Sequence, residues 1–127
     1  MGNPDTVTEL QAAYNSVNST AWGKTLINTL ENSPTLYLIT NLQDGTSFYD
    51  PNTNIISVDP NFHPEVAVDN GKTCSVERAP TNAVLGHEIG HAATGIHDDG
   101  PGNMNNVNAN ENQIRRQLGL PLRLSYP

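Results

Sequence analysis

Apolar residues recur every three or four positions at the start of the chain, at Val7, Leu10, Ala13, Tyr14 and Val17. That spacing predicts a helix over residues 6–18, with Asp5 or Thr6 as its cap. A second helical stretch is expected over residues 19–31, with Trp22, Leu26, Ile27 and Leu30 on one side, before Pro34 breaks it. Residues 35–40 then read as a strand, carrying Leu36, Leu38 and the β-branched Ile39. The turn signal Gln43-Asp44-Gly45 separates it from a short strand over residues 47–49. A further turn, Asp50 to Asn54, leads to a strand at Ile55–Val58, and the last two strands form a hairpin. Residues 61–80 read as irregular, with Pro64 and Gly71 among them. A helix is predicted over residues 81–93, with Pro80 in its first turn and Gly95 to end it. Gly86 and Gly90 lie inside it and cost roughly 1 kcal/mol each relative to Ala, which is tolerable if another element packs close. Residues 94–108 read as a polar loop. Asn110 can then cap a last helix over residues 111–118, stopped by Gly119 and Pro121, and the tail 120–127 is expected to be extended.

The 127 residues fit one compact domain, and the fold class is α+β: a short antiparallel β-sheet or hairpin packed on helices. Hydrophobic residues make up only 35% of the chain, and Asn, Gly and Pro are plentiful, so much turn and loop is expected. The formal charge of −7 argues against nucleic acid, because phosphate binding needs clustered Lys and Arg. No basic amphipathic face points to a membrane surface, and no apolar run approaches the ~18 residues of a membrane span. The N-terminus lacks a charged start followed by an apolar run, so it does not read as a signal peptide. Cys74 is the only cysteine, which rules out an internal disulfide, and nothing near it in sequence would serve as a base for a nucleophile.

The chemistry gathers in His87-Glu88-Ile89-Gly90-His91. On a helix, residues four apart project from one face, so two imidazoles can share one zinc ion. Glu88 stands beside them, within reach of a metal-bound water as general base. Leu85, Ile89 and the flanking alanines give this helix a buried character, where two unpaired imidazoles would be costly.

A catalytic zinc needs a third protein ligand and one open position. Spacing leaves two choices. His97 follows His91 by six residues, as in the metzincin pattern, but the glycine stands one place late at Gly95 and Met104 comes too soon for a Met-turn. Glu111, in the first turn of the following helix, would give the two-histidine, one-glutamate site of a gluzincin. A Glu in that position is also favoured simply by the helix dipole.

Two stretches carry a resemblance. Leu85-Gly86-His87-Glu88-Ile89-Gly90-His91-Ala92, together with Glu111-Asn112-Gln113-Ile114-Arg115 and Gly119-Leu120-Pro121-Leu122-Arg123-Leu124-Ser125-Tyr126, resembles the NleD-like family of bacterial effector metallopeptidases. The stretches Ser47-Phe48-Tyr49-Asp50-Pro51 and Ile55-Ile56-Ser57-Val58-Asp59-Pro60 resemble that family's strand pair more weakly. The resemblance implies a minimal zincin-like peptidase domain binding Zn2+ through His87, His91 and Glu111, with Glu88 as base. Tyr126 is a further catalytic candidate at the oxyanion, and Arg123 shares that candidacy. Arg115, one turn after Glu111, reads first as a structural ion pair, and His63 reads as a surface residue.

The resemblance also implies a secreted or translocated bacterial effector or toxin domain, which would belong to the C-terminal end of a longer protein. It would act on a protein or peptide substrate in a host cell or the periplasm, with an immunity protein as a second partner. The strand at Ile55–Val58 or at residues 35–40 is expected to bind substrate as an added strand. The alternatives are a non-catalytic metal-binding module, an amidase of cell-wall peptides, and a metzincin-like peptidase using His97.

Overall fold

The computed structural model describes residues 4–41, 44–69, 71–96 and 104–124. Two helices open the chain, α1 (Pro4–Asn18) and α2 (Ala21–Glu31). Since α1 starts at Pro4, Asp5 and Thr6 lie within its first turn rather than ahead of it. The link between the helices is tight. The Thr20 hydroxyl accepts from the Gly23 amide at 3.0 Å and donates to the Val17 carbonyl at 2.7 Å, capping α2 while closing α1. A Cβ on Gly23 would fall 2.1 Å from that same carbonyl, so only glycine fits there.

Three strands follow: β1 (Leu38–Asn41), β2 (Ser47–Asp50) and β3 (Ile55–Val58). They form a mixed sheet in the order β1-β3-β2, with β1 parallel and β2 antiparallel to β3. The expected β2–β3 hairpin is present, but its sheet is not purely antiparallel. The β3 strand is central and hydrogen-bonded on both sides, so Ile55–Val58 has no edge to offer an added strand. Its position follows from composition, because Ile56 and Val58 are fully buried.

A second sheet occupies the segment expected to be irregular. β4 (Glu65–Asp69) and β5 (Cys74–Arg78) pair antiparallel, and β6 (Leu122–Arg123) joins the other side of β4. Val66 and Val68 alternate inward on β4, while β5 is almost wholly exposed and polar. Only two buried apolar residues therefore mark this hairpin among the described residues; Gly71, ahead of β5, has φ +101°.

Helix α3 (Thr81–Thr94) is the axis of the molecule. Every residue from Ala83 to Gly90 is buried. Its Leu85 and Ile89 share one buried core with Val17 of α1, Leu26 and Ile27 of α2, Ile56 and Val58 of β3, and Ile114 further on. Truncating Leu85 or Ile89 to Ala would cost about 2–5 kcal/mol. Gly95, at φ +71°, closes the helix in the left-handed conformation.

The polar loop expected up to residue 108 is shorter than that. Helical conformation begins at Asn105 and passes through a π-helical segment (Val107–Glu111) directly into α4 (Asn112–Leu118). Asn110 does not cap this helix. It lies buried inside it.

Candidate metal centre and cleft

The π-helical segment and the first turn of α4 pack against α3, and two glycines make room for them. A Cβ on Gly90 would stand 2.6 Å from Asn110 Cβ and 2.8 Å from Asn106 Oδ1; one on Gly86 would stand 2.9 Å from Ile114 Cδ1. The close neighbour that those glycines required is thus the segment carrying Glu111. Buried backbone and side-chain polar groups in this contact need partners, and asparagines supply them. Asn106 Nδ2 donates to the His87 carbonyl at 3.0 Å, and Asn110 Nδ2 donates to Asn106 Oδ1 at 2.7 Å. Asn110 Oδ1 in turn accepts from the Trp22 indole at 3.0 Å. Asn106 falls in the stretch expected to be a polar loop and Asn110 at the expected helix cap, although the two stand at the i, i+4 spacing of one helix face.

His87 and His91 project from α3 onto one side, ring edge against ring face, with centroids 4.7 Å apart. Their Nε2 atoms lie 3.1 Å from one another. Their Nδ1 atoms face away to different acceptors. His87 Nδ1 is 2.8 Å from Glu111 Oε1, and His91 Nδ1 meets the carbonyl oxygen of Ile96. A carbonyl oxygen and an ionised carboxylate can only accept, so each Nδ1 carries its ring's proton. The two Nε2 atoms face one another across the gap between the rings.

Glu111 is buried, at 1% exposure. Its Oε1 also takes Arg123 Nη1 at 3.0 Å, and its Oε2 takes Arg115 Nε at 2.7 Å. Burial pushes its carboxyl up, but the hydrogen bond from His87 and the charges of Arg123, His87 and Arg115 outweigh it, lowering the pKa from 4.5 to about 2. The carboxylate expected as a third ligand meets the nitrogen of His87 that faces away from His91. Among the described residues no three His, Cys, Asp or Glu side chains form a group able to hold a metal ion.

The arginines come from the two C-terminal motifs. Arg115 sits one helical turn beyond Glu111, and its Nη1 also donates to the Pro121 carbonyl at 3.1 Å. Its reading as a structural ion pair agrees with this. Asn112 grips the tail by acting as an extra strand partner for Arg123: its Oδ1 accepts the Arg123 amide at 2.7 Å, and its Nδ2 donates to the Arg123 carbonyl at 3.0 Å. That grip places Arg123 over Glu111.

Glu88 is 7% exposed, and its Oε2 accepts from the Ser47 hydroxyl of β2 at 3.2 Å. Ser47, His87, Glu88 and Arg123 line one cleft of about 190 Å³, walled on its apolar side by Phe62, Pro64 and Val84. Larger hollows of about 330 and 620 Å³ flank Tyr14 and Ile39 on the α1–β1 side, but among the described residues their titratable side chains are Tyr14, Glu31 and Tyr37. Ser47 was missed as a site residue; only the fold brings it to Glu88. His63 stands apart, with Nδ1 3.0 Å from the Ala79 carbonyl. Tyr126 and His97 lie outside the described residues.

No protein family, curated protein or solved structure matches this chain.

Proposed function

We propose that this chain is a zinc-dependent peptidase of the zincin-like kind, with His87 and His91 as two of its metal ligands and Glu88 acting as general base. One observation carries the reading: the two Nε2 atoms face each other across 3.1 Å on one side of α3. Zn–N bonds of ~2.0–2.1 Å at a tetrahedral angle hold two donor nitrogens ~3.3 Å apart, so the pair fits two bonds to one zinc ion. Two imidazoles also suit zinc by ligand type.

When bound, zinc would supply a Lewis acid and a water ionisable near neutral pH. The chain's own residues account for the rest. Glu88, buried beside the two imidazoles and oriented by Ser47, accepts the proton of the attacking water and hands it to the leaving nitrogen. Arg123 brings positive charge to the cleft wall where a carbonyl oxygen would gain negative charge. β2, an end strand of its sheet and the strand that carries Ser47, is the edge on which an extended peptide would lie. This replaces β3, which is enclosed on both sides. The resemblance noted above adds that the domain acts as a bacterial effector or toxin.

The test is zinc titration followed by incubation with a peptide library. One zinc per chain and cleavage abolished by chelator support the reading. A protein that binds no zinc would leave the two histidines as a proton-sharing pair and end it.

A further inference from the structure

Glu111 has two ways to serve a metal site, as a ligand or as the group that orients one. Its surroundings distinguish them. Three donors already occupy the carboxylate: His87 Nδ1 at 2.8 Å and Arg123 Nη1 at 3.0 Å on Oε1, and Arg115 Nε at 2.7 Å on Oε2. Turning it toward the Nε2 side would break a charge-assisted bond to His87 and strand two arginines, both under 10% exposed, without their anion. Two cations around one carboxylate also withdraw the electron density a ligand would need, whereas they keep it ionised as an acceptor.

We infer that Glu111 is a positioning residue that holds His87 in its Nδ1–H tautomer, and that Arg115 and Arg123 lock the carboxylate in that role. A histidine side chain left to itself favours the proton on Nε2, the nitrogen a metal would need bare. Donation of Nδ1–H to Glu111 reverses that preference and fixes the ring plane. The segment Glu111-Asn112-Gln113-Ile114-Arg115 and the later Arg123 then form one device. Asn112 holds the Arg123 backbone, Arg123 and Arg115 hold Glu111, and Glu111 holds His87. The last strand, β6, is thereby built into the site, because docking it on β4 brings the second arginine to the carboxylate. The proposal rests on the metal reading above for its purpose, though not for its geometry.

The experiment uses 15N-labelled protein and two variants, E111Q and R123M, each checked for folding by circular dichroism. In the metal-free wild type, His87 Nδ1–H should give an exchange-protected resonance shifted downfield by its carboxylate acceptor. E111Q, which keeps the shape and loses the charge, should move it upfield; R123M should move it less. Zinc affinity in E111Q should fall about 10–100-fold, as for other partners of metal-bound histidines, and the visible spectrum of the cobalt(II)-loaded variant should keep the wild-type band pattern. If E111Q does not fold, R123M provides the same readouts. An unmoved His87 resonance in folded E111Q, or a cobalt spectrum showing one oxygen ligand fewer, overturns the proposal. If the wild type binds neither zinc nor cobalt while the resonance responds to E111Q, the positioning role stands and the metal reading alone falls.

Discussion

The Nε2 atoms of His87 and His91 stand 3.1 Å apart while both Nδ1 atoms serve acceptors. A cation shared between them binds only the folded state, so binding is linked to stability. Zinc at a hundredfold excess over its Kd should add about 2.7 kcal/mol, or roughly 10 °C in Tm for a chain of this size. Chelator should reverse that gain. H87A and H91A should show the same Tm with and without zinc. Thermal denaturation followed by circular dichroism measures all four cases.

Glu88 accepts a hydrogen bond from Ser47 at 3.2 Å and takes no part in the histidine pair. E88Q offers the same acceptor oxygen and no base. It should keep the wild-type Tm and zinc affinity, and peptide cleavage should fall by about 10²–10⁴-fold or more. Wild-type turnover in E88Q would remove Glu88 from the mechanism.

Gly86 and Gly90 should respond differently to alanine. On Gly90 a methyl group meets Asn110 Cβ at 2.6 Å and Asn106 Oδ1 at 2.8 Å, groups fixed in a buried network. Overpacking of that kind costs about 1–3 kcal/mol, more than the ~1 kcal/mol gained in helix propensity. On Gly86 the obstacle is Ile114 Cδ1 at 2.9 Å, the far end of a side chain that can rotate. G90A should therefore lower Tm and weaken zinc binding, because it shifts the segment bearing Glu111, whereas G86A should leave both close to wild type. Urea denaturation and zinc competition compare the two.

Acid stability should depend on Glu111. Its carboxyl titrates at about 2 when folded against 4.5 ordinarily. A lowered folded pKa contributes stability that is complete above pH ~4.5 and lost as pH falls toward 2. The shift corresponds to roughly 3 kcal/mol. Urea midpoints measured from pH 5 to pH 2 should fall in the wild type, and less steeply in E111Q, which has no carboxyl to protonate. Parallel slopes would show that Glu111 does not hold its charge as described.

Local pattern alone placed α2, β3 and α3 to within a residue or two, because each buries a continuous apolar face whose period is written in adjacent residues. The same locality made His87, Glu88 and His91 legible: on a helix, four-residue spacing is already geometry, and the two glycines announced a close neighbour. Pattern did not reveal the β4–β5 hairpin, whose inner face is only Val66 and Val68, nor the helical start within Asn105–Asn110. Asparagine disfavours a helix when its side chain competes for the backbone, and here those side chains are spent across a helix–helix contact instead. The role of Glu111 lay still further from the sequence. Whether a carboxylate binds a metal or steadies a histidine depends on which nitrogen it meets and how many cations surround it. That was decided by the packing of the π-helical segment on Gly90 and by the docking of Arg123 from the end of the chain, contacts between residues up to 24 positions apart that no local period encodes.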